Sequence, residues 1–105
     1  MIEVIEFREL RRNSLLGFAK IRVAEWHLVI SDVAIYEKDG RKWAQLPSKQ
    51  LLDKNSGEPL RDADGKPRYV RLLQFDDRTI SDRFSDSVVR AIEAHQQTGN
   101  SEWLR

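Results

Sequence analysis

Cationic and aromatic side chains alternate along three short stretches of this sequence. They occupy positions that share one strand parity within each stretch: Phe18, Lys20 and Arg22, then Tyr36 and Lys38, then Arg41 and Trp43. Aromatic rings on a sheet stack on nucleic-acid bases, for about 1–3 kcal/mol each, and neighbouring cations contact phosphates. The pattern predicts a nucleic-acid-binding face. Lys20, Arg22 and Arg41 would contact phosphates there, while Phe18 and Trp43 would stack on bases or lie in an interface.

A plain solvated face is the alternative for the same residues, because aromatic side chains also stabilise sheets through cross-strand pairs. The nearby acids Glu25, Glu37 and Asp39 weaken the electrostatic case for nucleic acid. The whole chain has 18 Lys and Arg against 17 Asp and Glu, a formal net charge of +1. Any attraction to nucleic acid must therefore come from a local patch.

The stretch "WAQLPSKQ", residues 43–50, contains a second candidate contact. Pro47 cannot donate a hydrogen bond to a strand ladder, so it predicts the end of a strand or an edge position. Ser48 and Lys49 would then enter a mobile, partly basic loop. Lys49 would contact phosphates there, and Ser48 is a possible donor to a phosphate oxygen. Gln50 follows where a second cation would strengthen this prediction.

The sequence contains little that points to catalysis. It has two histidines, His27 and His95, no cysteine, and five scattered glycines that form no phosphate-binding loop. Neither histidine belongs to a metal-ligand spacing or to a recognisable nucleophile motif. We therefore predict no enzymatic activity, no catalytic residues, no metal, no cofactor and no small-molecule substrate.

Length and composition indicate one domain spanning residues 1–105. The absence of cysteine fits a reducing compartment. No apolar run approaches the roughly 18 residues that a membrane span requires. The first residues are acidic and lack the apolar middle of a signal peptide. We expect a cytoplasmic protein that does not associate with membranes.

Alternation of apolar residues predicts several strands. The predicted strands span 2–7, 15–24, 28–38 and 41–46, with a polar connection over 8–14 and a turn at 25–27. The parity of apolar residues slips at Ser31 and Asp32. A β-bulge there would return Leu28, Ile30, Val33 and Ile35 to the core face. Asp39-Gly40 predicts a hairpin turn.

The second half of the sequence combines an irregular segment, a strand and a helix. Residues 50–68 are rich in turn formers and predict a long loop or a loose hairpin excursion; residues 69–75 predict a strand. Apolar residues every four positions predict a helix over 76–97, capped by Thr79 or Ser81 and ended by Gly99. The predicted fold is α+β: an antiparallel sheet of about five strands with one C-terminal α-helix on one face.

Association with a second copy is also expected. Trp26, Trp43 and Trp103 are more large aromatic residues than a lone small domain needs at its surface, and aromatic residues are enriched in interface cores. We predict a homodimer. The alternative is that one or two of these tryptophans cap the core of a monomer.

From Leu15 onward the chain resembles the SpoVG family, the stage V sporulation protein G group of small bacterial regulators. The similar segments are "GFAKIRV", "WHLVISDVAIYEKDGRKWAQLPSK", the loop that follows and the terminal helix, about residues 15–95 in all. The resemblance implies a sheet-plus-helix fold, dimerisation through strands, and regulatory binding of DNA or RNA. It also implies nucleic-acid contact at the turn of Pro47, Ser48 and Lys49.

Two departures mark a divergent member, as in a phage or mobile element. Gln50 stands where the family tends to have a second cation, and the loop over 53–68 is longer, although Arg61, Lys66 and Arg68 return positive charge to it. Whirly-type transcriptional coactivators, which bind single-stranded DNA on a sheet, are similar in architecture alone. The remaining alternative is a protein–protein interaction module.

Overall fold

The computed structural model describes residues 1–103, with side chains described through Gln96. In chain order the elements are β1 (Ile2–Arg12), β2 (Leu15–Val23), a 3₁₀ turn (Ala24–Trp26), β3 (Leu28–Lys38), β4 (Arg41–Gln45), β5 (Ser48–Gln50), β6 (Tyr69–Arg71) and α1 (Arg78–Trp103). Strands β1 to β4 form an antiparallel sheet in the order β1-β2-β3-β4, and β5 and β6 form a second, two-stranded sheet. The predicted α+β fold with a C-terminal helix is confirmed.

The core lies between α1 and one face of the four-stranded sheet. On that face β2 presents Ala19, Ile21 and Val23, which are all buried. Helix α1 contributes Val88 and Ile92, also buried, with Phe84 packed against them. The predicted apolar stripe of the helix is thus correct over these positions, whereas Ile80 at its start is exposed.

The predicted bulge in β3 is confirmed. Ala19 of β2 is opposite Val33, but Ile21 is opposite Ile30, so one extra residue of β3 is accommodated between them. Asp32 takes a positive φ of 58° at this point. The extra residue keeps Ile30, Val33 and Ile35 buried despite their unequal parity, whereas Leu28, which was expected beside them, is exposed.

The first strand is longer than predicted. Residues 8–12 were expected in a connection, but they continue β1 to Arg12 and pair with β2. Asn13, with φ of 56°, turns the chain into β2. Residues 8–12 show no apolar alternation because this end of the edge strand β1 buries no side chain. Backbone pairing with β2 holds it in the sheet instead.

Gly17 makes the close approach of β1 and β2 possible. A Cβ atom at this position would lie 2.2 Å from the carbonyl oxygen of Arg8, on the neighbouring strand. Such a separation is far below van der Waals contact. Only glycine therefore fits this position without displacing β1.

Residues 48–71 form a structure that we call the arm. At its base β5 pairs with β6, and three backbone hydrogen bonds of 2.8–2.9 Å then join Leu51, Leu60 and Arg68 to one another. Two short hairpins extend from this junction, closed by turns at Gly57 and Gly65. The expected hairpin excursion is confirmed. The placement of Ser48 and Lys49 in a loop is wrong, because both lie in the paired strand β5.

The first hairpin of the arm is organised by Asp53. Its carboxylate accepts the backbone N–H groups of Asn55 at 2.8 Å and Ser56 at 3.0 Å. These N–H donors stabilise the ionised form, so the pKa of Asp53 lies below its ordinary value.

The strand predicted over 69–75 ends at Arg71 and does not join the main sheet. The chain bends at Leu72 and Leu73 instead. Helix α1 is capped by Asp77, whose carboxylate accepts the N–H of Ile80 at 3.1 Å, and not by Thr79 or Ser81. The helix also continues past Gly99 to Trp103, so the predicted stop is wrong. The Trp103 side chain lies outside the described residues.

No helix among the described residues combines the length and apolar character needed to cross a membrane.

Candidate nucleic-acid interface

The predicted binding residues of β2 lie on the sheet face opposite α1, which we call the open face. Phe18, Lys20 and Arg22 alternate there with the buried core residues of the same strand, and each is half-buried. The register with β1 places Arg8, Glu6 and Glu3 opposite Phe18, Lys20 and Arg22 in that order. Two of the three predicted contacts therefore face an acid, which the spacing within β2 alone could not reveal.

Arg22 has two partners across the open face. Its Nη1 contacts Glu3 Oε2 at 2.9 Å, and its Nη2 lies 3.0 Å from His27 Nδ1. Lys20 lies opposite Glu6 but forms no ion pair with any residue whose side chain is described. The charge of both cations is thus reduced by acidic neighbours.

Phe18 is covered by a cation of the protein itself. The guanidinium of Arg8 lies 5.9 Å from the ring centroid of Phe18, within reach of a cation–π contact. Arg8 Nη2 also contacts Asp32 Oδ1 at 3.2 Å. The bulge in β3 supplies this acid, so the bulge both preserves the core and neutralises the open face. We call Glu3, Glu6, Arg8, Phe18, Lys20, Arg22 and Asp32 the paired half.

The other half of the open face, on β3 and β4, has a different composition. Tyr36 and Trp43 are directly opposite each other and stack, with ring centroids 5.5 Å apart and ring planes 14° apart. Toward the hairpin turn, the next cross-strand pair on the same face is Lys38 and Arg41. Within the described part of the chain neither of these two cations forms a salt bridge. Arg41 and Trp43, both predicted contacts, thus lie on one strand face. The positive charges of Lys38 and Arg41 have no acidic partner on the facing strand.

A groove of about 1200 Å³ is lined by the outer edge of β4, by the arm and by the start of α1, and it continues across the open face to Phe18, Asp32 and Arg8 of the paired half. We call it the β4 groove. The side chains that matter most for its chemistry are Tyr36, Trp43, Gln45, Ser48, Arg71 and Arg78. Its lining includes three arginines and two aspartates, since Arg8 and Asp32 reach one end and Asp82 lies on α1.

The walls of the β4 groove are held by contacts to α1. The backbone N–H of Ala44 on the edge strand donates to Ser85 Oγ at 2.8 Å. Lys42 Nζ lies 3.6 Å from Glu93 Oε2. On the far wall the Phe75 ring packs on Phe84, with centroids 5.1 Å apart. Both the edge strand and the chain that follows the arm are therefore fixed to one helix.

Ser48 and Lys49 do not form one site. Ser48 pairs with Arg71 and lines the β4 groove, whereas Lys49 pairs with Val70. Successive side chains of a strand point to opposite faces, so Lys49 lies on the other side of the arm. Lys49 is exposed and forms no salt bridge with the described residues. Its position corrects the expectation of a shared contact at the Pro47 turn.

Of the six groove residues named above, four were not among the predicted contacts: Tyr36, Gln45, Arg71 and Arg78. Tyr36 shares strand parity with Lys38, and that pattern was sufficient to find it. Arg71 and Arg78 reach the groove because the chain folds back through the arm, and no local spacing indicates this.

In the described residues, no three His, Cys, Asp or Glu side chains cluster closely enough to hold a metal ion. Comparison of the chain with protein-family models, with curated proteins and with solved structures finds no match. A function for this protein must therefore be inferred from its own residues.

Proposed function

We propose that this protein is a non-catalytic, nucleic-acid-binding regulator that acts as a homodimer and is a divergent member of the SpoVG family. The observation that carries the proposal is the position of the unopposed cations. Lys38 and Arg41 flank the Tyr36–Trp43 stack, and the β4 groove beside this stack contains Arg71 and Arg78. Aromatic rings next to such cations match the requirements of nucleic-acid binding.

The roles proposed for individual residues change accordingly. Phosphates contact Arg41, Lys38, Arg71 and Arg78, while Trp43 supplies the stacking surface. Ser48 donates a hydrogen bond from the groove wall. The paired half, with Phe18, Lys20 and Arg22, contributes less, because a phosphate must compete there with Glu3 and Glu6.

Lys49 takes a separate role, since it lies on the opposite face of the arm from Ser48. It contributes to nucleic-acid binding through a long-range charge, without a contact in the β4 groove. Replacing Lys49 by Ala should therefore weaken binding less than replacing Arg71.

A titration of DNA and RNA, single- and double-stranded, tests the proposal. We expect binding at about 50 mM salt that weakens steeply as salt is raised, because phosphate contacts release counterions. Arg41→Ala and Arg71→Ala should each weaken binding and lower the salt slope by about 0.7–0.9. Lys54→Ala, in a hairpin of the arm, is the charge-matched control. Absence of binding to every nucleic acid at low salt would contradict the proposal.

The arm supports homodimer formation. Two large apolar side chains of the arm, Leu52 and Val70, are exposed and lie outside the lining of the β4 groove. Among the described elements β5 and β6 make extensive contacts with each other alone. An isolated two-stranded hairpin is marginally stable in water, and pairing with the arm of a second copy would extend it and cover its apolar surface. The proposed dimer is thus mediated by strands of the arm.

Sedimentation separates this dimer from other arrangements. Val70→Asp places a charge on the face of the arm away from the β4 groove and should convert the dimer to a monomer. Leu10→Asp, on the similarly exposed edge strand β1, is the control and should leave the dimer intact. A wild-type protein that sediments as a monomer at high concentration would refute dimer formation.

A protein-interaction module is the second candidate, favoured by the same apolar surface of the arm. It predicts association with a different protein that is insensitive to salt, together with no affinity for nucleic acid. The salt titration therefore discriminates between the two candidates.

A further inference from the structure

The Tyr36–Trp43 stack ends at the β4 groove. Each ring uses one face for the other ring, and β4 is an edge strand of its sheet, so no further strand follows Trp43. Among the described residues no second ring stacks on this indole. We propose that the outer face of Trp43 binds an unpaired base of a single-stranded nucleic acid, which extends the stack into the β4 groove. This inference rests on the proposed function and names its ligand.

The groove offers the other groups that such a ligand requires. Gln45 is two residues from Trp43 on the same strand face and carries an amide that can donate to and accept from a base edge. Across the groove, Arg71 and Arg78 offer guanidinium groups to the phosphates on either side of the base. Arg71 Nη1 lies 3.4 Å from Gln74 Oε1, a long contact that leaves its remaining donors available.

The stacking requirement selects single strands. In a duplex both faces of each base are covered by neighbouring bases, so a ring can stack only after a base step is opened. An unpaired strand meets no such cost. The β4 groove, with a volume of about 1200 Å³ that includes its extension to Arg8 and Asp32, is large enough for a base with its sugar and flanking phosphates.

A free nucleotide also carries a base and a phosphate, so the experiment must distinguish binding of a mononucleotide from binding of a single strand. The probes are a labelled single strand of about 12 nucleotides, the duplex of the same sequence, and a mononucleotide as competitor. We expect the single strand to bind at least tenfold more tightly than the duplex. The mononucleotide should compete only weakly, because it lacks the flanking phosphates that contact Arg71 and Arg78.

Two substitutions of Trp43 isolate the role of its ring. Trp43→Leu keeps an apolar side chain that supports the sheet but removes the stacking surface, and should weaken single-strand binding about 5- to 150-fold. Trp43→Phe keeps a ring and should restore most of the affinity. Trp26→Leu is the matched control, because Trp26 is 72% exposed and lies outside the β4 groove. The Trp26→Leu variant should bind the single strand as tightly as the wild type does.

The outcomes distinguish this inference from the proposed function. Equal affinity for duplex and single strand, or equal affinity of Trp43→Leu and the wild type, would overturn base stacking while leaving nucleic-acid binding intact. Full competition by the mononucleotide would likewise overturn the assignment to a strand. Failure of every probe to bind at about 50 mM salt would instead refute the proposed function itself.

Discussion

The two halves of the open face contain the same kinds of side chain, yet their electrostatic environments differ. On β2, each cation lies opposite an acid of β1, and the ring of Phe18 is covered by Arg8. On β3 and β4, the rings stack on each other and the adjacent cations Lys38 and Arg41 lack acidic partners on the facing strand. Strand register, more than residue content, therefore decides whether a basic and aromatic face remains available to a ligand.

The largest effect is expected from Gly17→Ala, which separates β1 from β2, the two strands that contain most of the paired half. The new Cβ would meet the carbonyl oxygen of Arg8 at 2.2 Å and force β1 away from β2. Overpacking of this kind should lower the free energy of unfolding by roughly 3 kcal/mol, as thermal or urea unfolding can measure.

Gly57→Ala is the matched control. Gly57 has a φ of +73° but no atom within 4 Å of an added Cβ. The substitution should cost only about 1 kcal/mol of backbone strain, confined to the arm. Equal destabilisation by the two variants would contradict the close approach at Gly17.

A smaller effect should follow from releasing the cations of the paired half. In the double variant Glu3→Gln, Glu6→Gln, Arg22 and Lys20 lose their acidic neighbours without a change in side-chain size. We expect nucleic-acid affinity to rise roughly fivefold at low salt and the salt slope to steepen by about one. Stability should change little, since exposed ion pairs contribute about 0–1 kcal/mol.

The control for this experiment is Glu58→Gln, Asp64→Asn, which removes two acids from the arm. It alters the net charge by the same amount at a distance from the paired half. If both double variants raised the affinity equally, net charge would explain the effect, and the pairing of Lys20 and Arg22 with acids of β1 would not.

The smallest effect concerns pH and the arm. Because the pKa of Asp53 is lowered in the folded state, its contribution to stability is present above the ordinary value of 3.8 and is lost as the pH falls through the lowered pKa. The amide signals of Asn55 and Ser56, which donate to this carboxylate, should shift in that window in an NMR titration. The shift should be absent in Asp53→Asn.

Much of the sheet was predictable because its signals are local. The parity slip at Ser31 and Asp32 predicted the bulge, Asp39-Gly40 predicted the hairpin, and the four-residue spacing of Phe84, Val88 and Ile92 predicted the buried helix face. In each case an apolar pattern or a turn sequence specifies the structure within a few residues.

The candidate site was predicted only in part, because it depends on pairing between distant segments. Arg41 and Trp43 were placed correctly by strand parity, but the acids that face Lys20 and Arg22 follow from the register of β1. The pairing of β1 with β2 shifts between Val4 and Glu6. The sequence of this charged edge strand contains no pattern that predicts the shift. Likewise, Ser48 and Lys49 appear adjacent in the chain but lie on opposite faces once β5 pairs with β6.

The two hairpin tips of the arm have a practical consequence for chain length. Gly57 and Gly65 lie in tight turns with open space around them, and neither belongs to the β4 groove. Exposed turns of this kind are where inserted sequence is best tolerated. The tips are therefore points at which a fluorophore or a small tag can be attached as a reporter, and at which the chain can lengthen or shorten without altering the β4 groove.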